Sequence, residues 1–256
     1  MQKPYIGITG FVSRHEVDHV LGQWERIGNP DRVLSVGVLL CSQTLAHRRN
    51  HWPKRYPDVE KFAEIFFPHP QAINVVHYYS SIPDTLCQQL VHLITHVGAI
   101  DGFQFNFPWP SVAELSSFRR MCEKLKHFRL ILTVGPQALR MIDYSPEEFA
   151  RRTKEYCGII DDILLDPSQG QGRIFNQTEI LKYLAVLERH QDSISFGVAG
   201  GLCPETIYLL EPIVERFPRI SIDAESQLRN PEDYLHLDRT VEYVCRANQI
   251  LHEKRC

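Results

Sequence analysis

Residues 193–226 read SISFGVAGGLCPETIYLLEPIVERFPRISIDAES and contain the clearest signal of architecture in the chain. Ser193–Ala199 and Arg219–Asp223 are short, nearly continuous apolar runs, which is typical of strands that are buried on both faces. Between them, Pro204–Arg216 has helical spacing and carries a proline in its predicted first turn. A strand, a helix and a second strand in this order predict a parallel βαβ unit.

The same alternation runs through all 256 residues. The predicted strands are Tyr5–Gly10, Val33–Cys41, Ile73–Tyr79, Asp101–Phe105, Leu130–Val134, Asp162–Asp166, Ser193–Ala199 and Arg219–Asp223. The predicted helices are Ser13–Arg26, Ile82–His96, Pro110–Lys126, Ser145–Tyr156, Asn176–Arg189, Pro204–Arg216 and Pro231–His252, with a short one at Glu60–Phe67. Eight units in a chain of this length predict one (β/α)8 TIM barrel domain over residues 1–256. An open, doubly wound sheet is the alternative architecture.

Composition narrows the possible partners. The net charge is −3, and a nearly balanced surface argues against broad nucleic-acid binding, which needs many cationic contacts to phosphates. No apolar run approaches the roughly 20 residues of a membrane-spanning helix, and the first residues show no signal-peptide pattern. The 7 cysteines are scattered without a CxxC pair, so we expect free thiols in a cytoplasmic protein. A small molecule is the expected partner.

The turn after the seventh strand is a candidate anion site. Gly200 and Gly201 would let the backbone approach a ligand closely, and a helix beginning at Pro204 would add free N–H groups. In (β/α)8 barrels, phosphate often binds at the loops after strands 7 and 8. The alternative is a tight turn that needs glycine only for its backbone angles.

Two further features belong to the predicted mouth of the barrel. Asp166 ends the sixth strand, where a carboxyl above an apolar core can act as a proton donor; a turn cap is the alternative. The long segment Ser42–Pro57 carries six basic side chains and would follow the second strand. It can clamp an anionic substrate, form an ordinary solvated loop, or serve as a docking surface in a protein with an interaction role.

Two histidine patterns resemble metal sites. The motif His15-Glu16-Val17-Asp18-His19 has the H-E-x-x-H form of zinc proteases. It lies on the first outer helix, away from the predicted mouth, without an evident third ligand. His92 and His96 are also one helical turn apart. We interpret both as surface or packed side chains, and we expect no metal.

Motifs in the last hundred residues resemble those of phosphoribosylanthranilate isomerase, a ribulose-phosphate-binding barrel of tryptophan biosynthesis. Ile163–Asp166, with the Gly-containing stretch that follows, is similar to that family's strand-6 motif. Val198–Glu205 is similar to its strand-7 motif. Ile222–Ser226, followed by Asn230–Asp233, resembles its strand-8 motif and the next turn.

The resemblance implies an isomerase of the aldose–ketose type, an intramolecular oxidoreductase that acts on a phosphorylated sugar derivative without metal or organic cofactor. It implies that Asp166 is the general acid and that Thr9 occupies the position of the general base. It also implies a substrate-binding role for Gln104. The implied phosphate-binding residues are Gly200, Gly201, Asp223 and Ser226.

Two departures from the family pattern bear on activity. Thr9 stands where the family has its catalytic cysteine, and a hydroxyl is too weakly basic to replace a thiolate unaided. Cys41, at the end of strand 2, is an alternative base, or else an inert buried cysteine. Glu225 would repel a phosphate unless it points away or pairs with Arg229. A diverged barrel that binds a small ligand without this isomerisation, or that catalyses another reaction, is therefore the alternative function.

Overall fold

Eight parallel strands close into a barrel in a computed structural model of the protein, which describes residues 2–46, 48, 52–125, 127–168, 172–188 and 194–252. The strands are β1 (Tyr5–Thr9), β2 (Val33–Cys41), β3 (Ala72–Tyr79), β4 (Gly102–Phe105), β5 (Arg129–Val134), β6 (Asp162–Leu165), β7 (Ser195–Ala199) and β8 (Ser221–Ala224). All eight predicted strands are confirmed. The pairing of Ile6 with Ile222 joins β1 to β8 and closes the barrel, which rules out the open sheet.

Helices follow the strands on the outside of the barrel. The α-helices are Arg14–Ile27, Ser42–Leu45, Phe62–Ile65, Leu86–His96, Val112–Met121, Pro136–Arg140, Pro146–Lys154, Gln177–Glu188, Glu211–Arg216 and Leu237–His252. The short 3₁₀ helices are Val59–Lys61, Pro83–Thr85, Ile207–Leu210 and Ser226–Leu228. No helix in the described part of the chain is long and apolar enough to span a membrane.

The first helix illustrates how local sequence sets these elements. Ser13 is its N-cap and accepts a hydrogen bond from the Glu16 backbone, while the Glu16 carboxylate accepts one from the Ser13 backbone. The buried stripe of Val17, Val20, Leu21 and Trp24 faces the barrel at helical spacing. Glu16, the glutamate of the H-E-x-x-H pattern, therefore has a capping role in this helix.

Two predicted helix starts are wrong. The segment from Pro204 does not enter an α-helix, because the Thr206 hydroxyl accepts from Cys203 N and donates to the Gly201 carbonyl, closing a turn before Ile207. The last helix begins at Leu237 rather than at Pro231. Around Pro231 the chain instead forms a hairpin-like turn, in which Arg229 and Leu235 form an isolated antiparallel β-bridge. Proline at a plausible first helical position was misleading in both places.

The barrel interior is layered. At its N-terminal end, Arg129 and Asp162 form a buried ion pair, with Nε and Oδ2 separated by 2.6 Å. Above them lies a small apolar layer of Tyr5, Val75, Ile131, Leu164 and Ala199. The next layer is polar and forms the floor of an open cavity at the C-terminal ends of the strands. His77, Gln104 and Asp223 are buried polar side chains of this layer that line the cavity.

Candidate functional site

A cavity of about 650 Å³ opens at the mouth of the barrel, within the size range of small-molecule sites. Alternate residues along each strand point inward, so its walls come from positions two apart, such as Asp223 and Glu225. Six of the predicted site residues lie in its walls: Gln104, Asp166, Gly200, Gly201, Asp223 and Ser226. Thr9 and Cys41 are not among the residues that line it.

Asp223 lies in the floor of the cavity. Its side chain accepts hydrogen bonds from the Thr9 hydroxyl, at 3.0 Å to Oδ1 and 2.9 Å to Oδ2. Burial raises the pKa of Asp223 to about 8, and the charges of Glu225 and Asp166 add to the shift, while hydrogen bonds from Thr9 and Gln104 oppose it. Asp223 is therefore a protonated carboxylic acid at neutral pH.

His77 completes a buried chain with Thr9 and Asp223. The Thr9 hydroxyl lies 3.1 Å from both ring nitrogens of His77. Burial lowers the pKa of His77 to about 3, so its imidazole is neutral. Gly37 makes room for this chain, because a Cβ atom there would lie 2.7 Å from His77 Nε2 and 2.9 Å from Thr9 Oγ1. The Thr9 hydroxyl thus connects Asp223 and His77 by hydrogen bonds below the cavity floor.

Asp166 directly follows β6 and lies beside the Gly200 turn, where a Cβ atom on Gly200 would be 3.3 Å from Asp166 Oδ1. Its Oδ1 accepts hydrogen bonds from the backbone N–H and the hydroxyl of Ser168, at 2.9 and 2.7 Å. This is the local turn-capping arrangement considered for an aspartate at this position, and Asp166 still lines the cavity. These hydrogen bonds fix the position of the Asp166 carboxyl group, which remains accessible to a ligand in the cavity. Residues 169–171 of the Gly-containing stretch lie outside the described residues.

The Gly200–Gly201 turn is tightly packed against the chain after β6. Both glycines have positive φ, 109° and 66°, a region that favours glycine. A Cβ atom on Gly201 would lie 2.8 Å from backbone atoms of Arg173 and Ile174. Close approach of the protein's own backbone therefore accounts for Gly201, while both glycines still line the cavity.

Arg55 and Glu225 meet at the strand-8 side of the cavity. Arg55 Nη1 lies 2.9 Å from Glu225 Oε1 and 3.3 Å from the Ser226 hydroxyl. Arg229, the partner considered from sequence, donates to the carbonyls of Gly10 and Asp233. Burial raises the pKa of Glu225, whereas the charges of Arg229 and Arg55 lower it. The hydrogen-bonded partner of Glu225 is thus Arg55.

Part of the basic segment Ser42–Pro57 docks on the chain after β8. Lys54 Nζ donates to the Glu232 carbonyl at 2.7 Å and lies 4.6 Å from the Tyr234 ring centre. Arg55 stacks on Trp52, with 4.9 Å between the guanidinium carbon and the ring centre. These two cations contact the protein itself. His47, Arg49 and His51 of this segment lie outside the described residues.

Cys41 lies beside the cavity rather than in its wall. Its side chain is 5% exposed, and its Sγ lies 3.2 Å from Thr44 Oγ1. Tyr56 lines the cavity nearby, where burial raises its pKa and the charge of Cys41 adds to the shift. Because Tyr56 lines the cavity and Cys41 does not, a Cys41 thiolate would have no direct contact with a ligand in the cavity. Among the described residues, no group of three or more His, Cys, Asp or Glu side chains could hold a metal ion.

Sequence reasoning did not single out His77 as a site residue, and it considered Arg55 only as one of the six basic side chains of the Ser42–Pro57 segment. The available signal for His77 was register, because alternate residues of β3 face inward and His77 shares that face with Val75. The basic composition of the Ser42–Pro57 segment indicated an anion clamp, but it did not distinguish Arg55 from the other five basic side chains. Its partners lie about 170 residues away in sequence, and only the closed barrel brings them together.

Comparisons with solved structures find the same barrel in tryptophan-pathway proteins. Phosphoribosylanthranilate isomerase from Thermotoga maritima superposes with a TM-score of 0.62 and 16% identity, covering 96% of this chain and 99% of the other. TrpF from Jonesia denitrificans gives 0.61 and 13%, with 98% and 100% covered. This chain is structurally similar to phosphoribosylanthranilate isomerases. Tryptophan synthase subunit alpha from Legionella pneumophila gives 0.57 and 14%, with 98% and 94% covered.

No protein-family model and no curated protein sequence matches the chain. At these identities the structural likeness establishes the (β/α)8 fold. One of the similar phosphoribosylanthranilate isomerase structures holds reduced 1-(o-carboxyphenylamino)-1-deoxyribulose 5-phosphate. That ligand is a property of the other protein, and the function of this chain has to be argued from its own cavity.

Proposed function

We propose that the protein is an acid–base isomerase acting on a small phosphorylated sugar derivative bound at the mouth of the barrel. The observation that carries the proposal is a pair of carboxyl groups in one cavity: Asp223, protonated at neutral pH, and Asp166, whose charge helps to keep it protonated. Isomerisation of a sugar requires one group to donate a proton to oxygen and another to take one from carbon. Two carboxyls in different environments meet that requirement.

Asp223 is the proton donor in this proposal. It lies in the cavity floor and retains its proton up to about pH 8, so it can protonate an oxygen atom of the bound sugar. The oxygen that it protonates is the carbonyl oxygen of the open-chain sugar.

Asp166 accepts the proton from the neighbouring carbon, the electron pair of the broken C–H bond forms a C=C bond, and the carbonyl π electrons remain on the protonated oxygen of the enediol. Asp166 then returns a proton to the former carbonyl carbon while the other enediol hydroxyl returns its proton to Asp223, which yields the ketose. The Ser168 hydrogen bonds fix the Asp166 carboxylate in position. These roles differ from those that the sequence resemblance implies, in which Asp166 is the acid and Asp223 binds phosphate, and they need no basic group at Thr9.

Neutral His77 and Thr9 support the acid. A neutral imidazole can donate a hydrogen bond to a substrate oxygen without adding charge to the site. Thr9 is a positioning residue, because its hydroxyl contacts Asp223 and His77 but does not line the cavity. Its hydroxyl donates to Asp223 and can go on donating when Asp223 gives up its proton, because a carboxylate accepts hydrogen bonds. The three side chains can therefore stay connected through a catalytic cycle.

Two observations favour a phosphorylated substrate. The glycine turn after β7 and Ser226 after β8 both line the cavity, in the region where barrels commonly bind phosphate. A structurally similar protein holds a phosphorylated ribulose derivative. The test therefore compares phosphoribosylanthranilate, ribose 5-phosphate and unphosphorylated ribose.

The experiment follows these compounds by NMR in D₂O with the purified protein. We expect conversion of a phosphorylated compound with deuterium incorporated at a carbon-bound position, because the abstracted proton exchanges with solvent. Asp166→Asn and Asp223→Asn should each lower the rate by at least about 100-fold. Asp84→Asn is the matched control, because Asp84 is an exposed aspartate outside the cavity.

Binding of a phosphorylated compound without conversion or exchange would reject the isomerase and support a ligand-binding barrel. Equal rates for wild type and both cavity variants would reject the assignment of the two aspartates.

A further inference from the structure

Arg55 is held from one side by an acidic residue outside the cavity wall. Its Nε lies 2.9 and 3.0 Å from the two carboxylate oxygens of Asp233, and its Nη2 lies 2.7 Å from Asp233 Oδ1. Such forked pairing fixes both the position and the plane of a guanidinium. The ring of Trp52 packs on the same group. Arg55 is thus anchored independently of Glu225.

The remaining terminal nitrogen of Arg55 faces the cavity. Nη1 donates to Glu225 Oε1 at 2.9 Å and to the Ser226 hydroxyl at 3.3 Å. Arg55, Glu225 and Ser226 all line the cavity. A cation and a hydroxyl side by side form a suitable arrangement for an anionic group, and here that group is the protein's own carboxylate.

The Arg55–Glu225 ion pair is largely buried, so loss of either partner is poorly compensated. The side chains of Arg55 and Glu225 are only 17% and 18% exposed, so water compensates poorly for a lost partner. Arg229 lies close enough for its charge to lower the pKa of Glu225, but it donates to two backbone carbonyls and does not line the cavity. An anion that enters beside Ser226 must therefore compete with Glu225 for Arg55.

We propose that Glu225 is a specificity-determining residue that occupies, as an internal anion, the place of a ligand's phosphate on Arg55. The inference deepens the proposed function, because it names the cation of the anion-binding end and the group that limits its affinity. Arg55 is then the main phosphate contact, with Ser226 beside it, and Glu225 selects against anions that bind too weakly to displace it. Free phosphate belongs to that excluded class.

The test measures inorganic phosphate binding by isothermal titration, with no substrate and no turnover. Glu225→Gln removes the charge and keeps the shape of the side chain. We expect it to bind phosphate at least about tenfold more tightly than the wild type, because phosphate no longer has to displace a carboxylate. Arg55→Met combined with Glu225→Gln should return binding to the wild-type level or below.

Glu64→Gln is the matched control, because Glu64 is exposed on the short helix Phe62–Ile65 and should leave phosphate binding unchanged. Circular dichroism and thermal unfolding verify folding, and Glu225→Ser provides the same readout should the glutamine variant fail to fold. Unchanged phosphate affinity in the charge-removing variants, or tight binding that survives loss of Arg55, would overturn the inference. These outcomes are separate from the isomerase test, since a phosphate-binding barrel without turnover would satisfy one and fail the other.

Discussion

The Thr9 hydroxyl lies 2.9 Å from Asp223 Oδ2 and 3.0 Å from Oδ1, beneath the floor of the cavity. This contact joins the first strand of the barrel to the last. It also links Thr9, which the sequence resemblance aligns with a catalytic cysteine, to an acid in the mouth whose pKa burial raises to about 8. Thr9 cannot act as an acid or base itself, but its hydroxyl contacts Asp223, the proposed proton donor.

Asp223 should make stability depend on pH. Its pKa is about 8 in the folded protein and about 4 when unfolded, so the folded state binds the proton more tightly. Stability should be greatest below about pH 4 as far as this group is concerned, and fall by up to about 1.4 kcal/mol per unit as pH rises towards 8. Urea unfolding between pH 5 and 8 should show this slope in the wild type and a flatter one in Asp223→Asn. Identical slopes would contradict the burial of an ionisable acid here.

Replacing Thr9 should shift the titration of Asp223 rather than remove the acid. The Thr9 hydrogen bond lowers the pKa of Asp223, so Thr9→Val should raise that pKa and move the alkaline limb of the rate profile to higher pH. The variant should also lose about 1–3 kcal/mol of stability, because two buried polar partners lose a hydrogen bond. Thr9→Ser keeps the hydroxyl and should restore both properties. A profile unmoved by valine would show that Thr9 has only a packing role.

Removing one partner of the buried pair Arg129–Asp162 should destabilise the protein strongly, whereas replacing both partners by apolar residues should change its stability little. Asp162→Asn leaves the Arg129 guanidinium, 2% exposed, without its charge partner, and we expect a loss of about 3–5 kcal/mol. The double variant Arg129→Met, Asp162→Leu removes both charges and should recover most of it. Chemical denaturation of both variants provides the comparison. A double variant as unstable as the single one would mean that the pair stabilises the barrel outright.

Gly201 should tolerate no side chain. Alanine there would place its Cβ 2.8 Å from the backbone of residues 173 and 174, in a backbone conformation with φ of 66°. We expect Gly201→Ala to lose more than about 1 kcal/mol and to disturb the Asp166 side of the cavity. Gly22→Ala is the control, because no atom lies within 4 Å of its Cβ position and alanine favours the helix by about 0.5–1 kcal/mol. Thermal unfolding should therefore show a lower melting temperature for Gly201→Ala and a higher one for Gly22→Ala. Stabilisation of both variants would contradict the close packing of Gly201.

The strands were predictable because burial on both faces leaves a mark in the sequence. Runs such as Val33–Cys41 are apolar along nearly their whole length, and their ends agree with the structure within two residues in every strand. Helix starts were less predictable, because Pro204 and Pro231 suit a first helical turn and an open turn equally well. Side-chain bonds of Thr206 decide the first case, and such bonds depend on the tertiary fold.

The candidate site was predictable where a residue ends a strand and not where it depends on long-range pairing. Asp166, Gly200 and Asp223 could be placed at the mouth by counting strands. The protonation of Asp223 depends on burial and on Glu225 and Asp166 together, which no single motif records. The pairing of Arg55 with Glu225 joins the strand-2 loop to the strand-8 turn, and only closure of the barrel creates it.

The most direct test of the central claim is a carbon-13 NMR titration of the aspartate side-chain carboxyl carbons, with the Asp223 signal assigned by its loss in Asp223→Asn. We expect this carboxyl group to titrate near pH 8 and to be protonated at pH 7. A titration near pH 4, the ordinary range of an aspartate, would contradict the assignment of Asp223 as the acid of the cavity.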